Sequence, residues 1–298
     1  MRLLPLFCCL IVSAAIASPK DVRITFAAMG DVPYRPEERV KLAADLLRLP
    51  QDTAFIVHLG DIKPGTPFCG EREYADIARI LKGSKVPVFI IPGDNEWNDC
   101  SRPGRAWGYW LDHFKAFEGQ WSGFEDVARQ ESHQANFAFV RNSVLFVGLH
   151  LVGGRVHDKT EWDERHEADL EWLRTHLLQR RKENISTAVV FGHSQPSTAT
   201  KVFFESFGEI AEQFARPVLY VHGDGHRWVR EKSFKVRQMQ RIQVDQGGNA
   251  PPLLITVTDD VLHPFVVDRR LPDTSASSSA RLPKAVEPAE DLRRSGED

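Results

Sequence analysis

Five short segments of this 298-residue chain place carboxylates and imidazoles beside glycine. They are Gly30-Asp31, Gly60-Asp61, Gly93-Asp94-Asn95-Glu96, Gly192-His193 and His222-Gly223-Asp224-Gly225-His226. One Gly-Asp pair is ordinary turn chemistry, because both residues favour such backbone conformations. Here each segment closes an apolar run of strand character, and ligands of open α/β sheets bind beyond the carboxyl ends of the strands. The five turns are therefore expected to meet in one crevice. Packed there, Asp31, Asp61, Asp94 and Asp224 would raise one another's pKa by mutual repulsion, which divalent cations would relieve. Carboxylate oxygens with imidazole nitrogens suit Mn, Fe or Zn. Two ions about 3.5 to 4 Å apart would hold an attacking water together with phosphoryl oxygens. The alternative is a solvated acidic rim with no ion.

The elements that must position these turns can be read from apolar spacing. Val22 to Met29, Ala54 to Leu59 and Val86 to Ile91 are brief apolar runs suited to buried strands. Pro36 to Leu49 and Glu71 to Leu81 have helical spacing, so the first part predicts a parallel strand-helix-strand layer. Asn136 to Val140 and Val144 to His150 predict a hairpin across Arg141-Asn142-Ser143, followed by a helix over His166 to Lys182. Thr187 to Phe191 and Pro217 to His222 predict further buried strands, with a helix near Lys201 to Phe214 between them. Gln240 to Asp245, Leu253 to Thr258 and Pro264 to Val267 predict antiparallel strands.

The two ends differ from this pattern. Met1 and Arg2 precede an apolar stretch from Leu3 that closes on Ala15-Ile16-Ala17, the small-residue spacing of a signal peptidase site. Residues 1–17 are expected to be a cleaved signal, since about 15 apolar residues fall short of the roughly 20 that span a bilayer. No later stretch is long and apolar enough to span. Removal of Cys8 and Cys9 with the signal leaves Cys69 and Cys100, which in an oxidising compartment form either a disulfide or two unrelated thiols. From about Pro272 the chain turns to Ser, Ala, Pro and charge, so residues 272–298 are expected to be a disordered tail. Residues 18–271 then form one domain. Its charge is balanced, 38 basic against 41 acidic residues in the whole chain, which leaves no basic footprint for nucleic acid.

The motif order resembles the calcineurin-like metallophosphoesterase superfamily, which runs GDxH, GD, GNH followed by an acidic residue, GH and GHxH. The resemblance spans about Val22 to Pro264. It implies a four-layer α/β/β/α sandwich, two mixed sheets flanked by helices, with a dinuclear metal site on their shared edge. Carried over, Asp31 and His226 bind the first ion, Asp61 bridges and His193 binds the second. Pro33 stands where the family has a histidine ligand and cannot bind metal. Asp94 replaces the family's asparagine ligand, and Asp224 replaces the first histidine of GHxH. Both are competent oxygen ligands. They tilt the expected pair of divalent ions (Mn, Fe, Zn or Mg) towards Mn or Fe. Asn95 stands where the family has the histidine that protonates the leaving group, and an amide cannot transfer a proton at ordinary pH.

Function follows as an expectation. The chain resembles a divergent exported branch that hydrolyses small phosphomonoesters or phosphodiesters through a metal-activated hydroxide. The alternative is an impaired relative that binds metal and a phosphorylated ligand without turnover. Asn95 and His150 are the candidate catalytic residues. His150 and His222 either donate a proton or are hydrogen-bonded strand-end histidines. His58 is expected in the core, and Lys63 and Arg155 are candidates to steer a phosphate. Trp97, Trp107 and Trp110 form either an aromatic wall for a nucleobase or sugar, or packing for a loop. Asn184-Ile185-Ser186 is a glycosylation acceptor only in a eukaryotic secretory pathway.

Overall fold

Apolar runs too short for helices and rich in β-branched and aromatic residues become the strands of two mixed sheets. A computed structural model describes residues 21–179, 183–232, 234 and 236–271. The expected signal and tail lie outside the described residues. The first sheet contains β1 (Val22–Met29), β2 (Thr53–His58), β3 (Val88–Ile90), β11 (Leu253–Thr258) and β12 (Phe265–Asp268), in the order β12-β11-β1-β2-β3. Its β1, β2 and β3 are parallel, and β11 runs antiparallel to β1.

The second sheet contains β4 (Ala128–Arg129), β5 (Phe137–Arg141), β6 (Val144–Gly148), β7 (Thr187–Phe191), β8 (Val218–His222), β9 (Val229–Glu231) and β10 (Met239–Gln243). Its order is β4-β5-β6-β7-β8-β10-β9. The expected hairpin is β5 and β6, whose register pairs Arg141 with Val144.

The inner faces of the two sheets enclose a phenylalanine core. Phe26 and Phe55 stack at 5.3 Å between centroids, and Phe55 meets Phe146 of the other sheet edge-on at 5.0 Å. Edge-to-face contacts of this kind add to the burial of each ring. Outside the first sheet pack α1 (Pro36–Leu47), α2 (Glu71–Leu81) and α3 (Pro103–Phe114), burying Leu42, Leu46, Ile77, Leu81, Trp110 and Phe114. Outside the second pack α4 (Lys159–Leu178) and α5 (Lys201–Phe214), burying Leu173, Leu177, Phe203, Phe207 and Phe214. The result is the expected four-layer sandwich, α/β/β/α.

Three expectations are corrected. The segment around Trp107 and Trp110 is a helix, started by Pro103 at its first turn, where a missing N–H costs nothing. The fourth helix begins at Lys159 rather than His166. Asp158 caps it by accepting from the backbone N–H of Thr160 at 2.9 Å and of Glu161 at 3.2 Å. Finally, β10 lies parallel to β8, although it is antiparallel to β9.

Cys69 and Cys100 are joined, with Cα atoms 5.9 Å apart and a sequence separation of 31. The bridge ties the loop that follows β2 to the loop that follows β3. For a closed loop of this length, chain entropy predicts that reduction costs about 3 to 4 kcal/mol of stability. Urea unfolding of the unreduced protein and of a Cys69→Ser/Cys100→Ser variant measures the difference. Free thiols in the unreduced protein would contradict the bridge.

Candidate metal centre

Every candidate ligand sits just past the carboxyl end of a strand: Asp31 after β1, Asp61 after β2, Asp94 after β3, His193 after β7, and Asp224 with His226 after β8. The turns are sharp. Asp31, Asp61, Asp224 and His226 all adopt left-handed backbone conformations, with φ of 57°, 60°, 69° and 57°. Such conformations cost non-glycine residues about 1 to 3 kcal/mol each and concentrate at functional sites. Glycine is required where the second and third turns touch. A Cβ on Gly60, whose φ is +88°, would lie 2.4 Å from the nitrogen of Gly93, and a Cβ on Gly93 would lie 2.2 Å from the nitrogen of Asp61.

Glu96, wholly buried, locks the same pair of turns together. Its carboxylate accepts from the backbone N–H of Gly93 at 2.6 Å, Asp61 at 3.1 Å and Ile62 at 3.2 Å. In the sequence this glutamate stands only as the acidic residue of a motif, without its task.

Within the crevice the side chains form two groups that share one carboxylate. Asp31, Asp61 and His226 make the first; Asp61, Asp94 and His193 make the second. In each group, one ligand atom per residue lies within 4.8 Å of all the others. His193 Nδ1 lies 2.7 Å from the carbonyl oxygen of Leu59, which fixes the ring with Nε2 facing the carboxylates. That outer hydrogen bond is how metal-ligating histidines are oriented. His193 Nε2 stands 2.8 Å from Asp94 Oδ1 and 3.3 Å from Asp61 Oδ1. Asp31 Oδ2, Asp94 Oδ1 and His193 Nε2 are buried without an aligned hydrogen-bond partner. Buried polar atoms are rarely left in that condition. Converging oxygen and nitrogen donors of this kind fit divalent cations.

The sequence profile of the calcineurin-like phosphoesterase family matches residues 24–230, more than half of the chain. The chain belongs to the calcineurin-like phosphoesterase family. Membership places it among hydrolases of phosphate esters. No curated protein matches it by sequence. Among solved structures it is similar to a dimetal phosphatase from Danio rerio, at 14% identity over 83% of this chain and 99% of that one, with a TM-score of 0.57. A 5'-nucleotidase from Candida albicans is similar at 13% identity over 83% of this chain and 51% of that one, with a TM-score of 0.49. At these identities the likeness concerns the fold.

Several residues of this calcineurin-like phosphoesterase stand apart from the two groups. Asp224 belongs to neither: its Oδ2 accepts from the backbone N–H of Gln195 at 3.2 Å, while its own N–H donates to Asp31 Oδ1 at 3.1 Å. Asn95 is committed to Asp61. Its Nδ2 donates to Asp61 Oδ2 at 2.5 Å and its backbone N–H to Asp61 Oδ1 at 3.1 Å.

His150, the other catalytic candidate, is buried among aromatic rings. Its ring stacks on Trp107 at 4.5 Å and touches Trp97 at 4.3 Å. Burial and the nearby Arg165, His133 and His166 drive its pKa well below that of an ordinary histidine. A lowered pKa disfavours the imidazolium that a general acid would need. Trp97, Trp107 and Trp110 therefore pack this corner instead of forming an open wall.

His222 is likewise buried, stacked on Tyr220 at 5.1 Å, and burial lowers its pKa to about 3. His58 is a core residue with Nε2 2.9 Å from the carbonyl of Val32, as expected. Lys63 does not reach out for phosphate: Nζ donates to the carbonyls of Pro64, Thr66 and Asn95. Arg155 is spent in the same way on the carbonyls of Asn98 and Cys100.

The electrostatics of the crevice couple metal binding to protons. Burial, reinforced by Asp94, Glu96 and Asp31 and opposed by His193, holds the Asp61 carboxyl well above its usual range. Burial alone would lower His193, but Asp61, Asp94 and Asp31 outweigh it and hold the imidazolium well above an ordinary histidine. Without metal, His193 therefore keeps its proton at neutral pH. A cation must displace it, so metal affinity is expected to fall as pH falls, by about tenfold per unit for each proton released. Calorimetric titration in buffers of different ionisation enthalpy counts those protons. Binding at pH 7 with no proton release would contradict this state of His193.

Proposed function

We propose that this chain is an exported phosphoesterase that hydrolyses small phosphomonoesters or phosphodiesters with two divalent ions. Asp31, Asp61 and His226 would hold one ion, and Asp61, Asp94 and His193 the other. The observation that carries this reading is the single carboxylate of Asp61 shared by the two groups. When bound, such a pair supplies an activated water and stabilises charge on a phosphoryl group. The chain's own residues do the rest. His193, held by Leu59, releases its proton to receive a cation. Asn95 keeps Asp61 oriented towards both positions. Asp224, raised in pKa by burial and set among His193, Asp94 and Asp31, adds acidic character to the crevice. A donor set of three carboxylates and two imidazoles favours Mn or Fe.

Export is supported by the leader-like first 17 residues and by the Cys69–Cys100 bridge, since such bridges persist in oxidising compartments. Among the described residues no helix is long and apolar enough to cross a membrane. The second reading, an impaired relative that binds a phosphorylated ligand without turnover, is favoured by one observation: Asn95 occupies the proton donor's place and its amide is already bound to Asp61. Turnover of nitrophenyl phosphate and bis-nitrophenyl phosphate separates the two. Hydrolysis that a chelator abolishes and Mn restores supports the enzyme. Tight Mn binding with no hydrolysis of either ester supports the impaired reading.

A further inference from the structure

Tyr34 lies one residue beyond Pro33, in the turn that carries Asp31. It belongs to no motif, yet its phenol reaches all three residues of the first group. Its Oη is 2.7 Å from Asp61 Oδ2, 3.0 Å from His226 Nε2 and 3.4 Å from Asp31 Oδ1. His226 Nε2 and Asp31 Oδ1 are themselves 3.4 Å apart. Donors bound to one cation at about 2.0 to 2.2 Å stand roughly 2.8 to 3.6 Å from their neighbours in octahedral or tetrahedral arrangements. The phenol oxygen thus keeps that spacing with His226 and Asp31 at once, and stands slightly closer, at 2.7 Å, to Asp61.

Hydrogen bonds hold the phenol here but do not satisfy the whole group. A phenol has one proton, which it can give to one acceptor. That proton goes to Asp61 Oδ2 at 2.7 Å, while Asp31 Oδ2 in the same group stays buried without a partner. A cation at the focus of these atoms would satisfy all of them together. The turn is also fixed from behind. The backbone N–H of Tyr34 donates to Glu38 Oε2 at 2.6 Å, and Glu38 Oε1 is held by Arg35 at 3.0 Å. The ring meets that of His226 edge-on at 5.5 Å, which limits where the phenol can turn.

We propose that Tyr34 Oη is a protein ligand of the first ion, taking the coordination position that Pro33 cannot fill. This rests on the two-ion reading of the crevice. A phenol oxygen beside two carboxylates and one imidazole makes the first position hard, oxygen-rich and suited to iron or manganese.

The full mature chain, stripped of metal, is titrated with Mn by calorimetry in parallel with Tyr34→Phe, Tyr34→His and Asp61→Ala. Wild type should bind two ions. Tyr34→Phe should lose at least about 10- to 100-fold in affinity at one position, the loss typical for even an outer partner, and keep the other unchanged. The retained second position also reports that the variant is folded. Tyr34→His, which restores a donor, should recover most of the loss. Loading with ferric iron adds a direct signature: a visible phenolate-to-iron charge-transfer band in wild type that is absent from Tyr34→Phe.

Wild-type affinity at both positions in Tyr34→Phe would overturn the proposal and leave the two-ion reading standing. So would weakened binding in that variant together with no charge-transfer band in ferric wild type, since Tyr34 would then act only through hydrogen bonds. Wild type that binds no pair of ions, or Asp61→Ala that binds both as before, would overturn the two-ion reading and the proposal with it.

Discussion

Replacing Asp61 by alanine is expected to abolish hydrolysis and to lower metal affinity at both positions by more than about 100-fold, beyond the loss that follows removal of an outer partner. Asp61 is the one residue common to both ligand groups. Stability without metal should change little. In the metal-free protein this carboxylate is buried among Asp94, Glu96 and Asp31, which push its pKa up together with burial. Deleting it removes like-charge repulsion, at the expense of its attraction to His193 and of the bonds it accepts from Asn95 and Tyr34. In chelator the two should therefore melt close together, while in Mn the wild type should gain stability that the variant does not. Elemental analysis with thermal melts in both conditions checks this. Unchanged metal content in the variant would remove Asp61 from the centre of the account.

The second large effect concerns the leaving group. Asn95 is buried, its amide donates to Asp61, and its backbone carbonyl oxygen accepts from Lys63 at 3.0 Å. His150, the other candidate donor, is packed against two tryptophans and held well below the ordinary histidine pKa by burial and by Arg165. With an amide at one place and an imidazole of lowered pKa at the other, an alkyl leaving group should suffer the about 10²- to 10⁴-fold penalty of a missing general acid, while a nitrophenolate should not. Metal-dependent turnover of nitrophenyl esters should thus far exceed that of alkyl phosphates. Asn95→His should raise the alkyl rate more than the nitrophenyl rate. Equal changes in both would show that Asn95 acts by holding Asp61, and not as the stand-in for an acid.

Much of the centre is legible in the amino-acid sequence, and the reason is local. A strand that must turn sharply at a ligand needs glycine beside an acid, so Gly60 and Gly93, where no Cβ fits, mark the turns in sequence. The α5 bounds follow from an apolar stripe that no polar residue interrupts on its buried side. The Cys69–Cys100 pair follows once two of the four cysteines are assigned to the leader.

What the sequence hides is of another kind. Tyr34 meets Asp61 and His226 across separations of 27 and 192 residues, a contact made by folding and carried by no spacing rule. Glu96 is visible as an acid but not as the clamp of two turns. The direction of β10 relative to β8 depends on where the chain re-enters the sheet, which an apolar run does not encode. The α3 helix is masked because Pro103, Gly104 and Gly108 resemble loop punctuation, although proline at a first turn starts helices as readily as it ends them. Asp158 before Lys159 is a helix start in plain sight, and its capping carboxylate explains the earlier beginning of α4.

The most direct test of the central claim is the anomalous scattering of manganese in crystals of the protein grown with that ion. Two peaks about 3.5 to 4 Å apart should flank the Asp61 carboxylate, as in sites where two metals act together. One should lie among Asp31, His226 and Asp61, and the other among Asp94, His193 and Asp61. A crevice with no peak at saturating manganese, or a single peak that leaves Asp61 uncoordinated, would contradict the account.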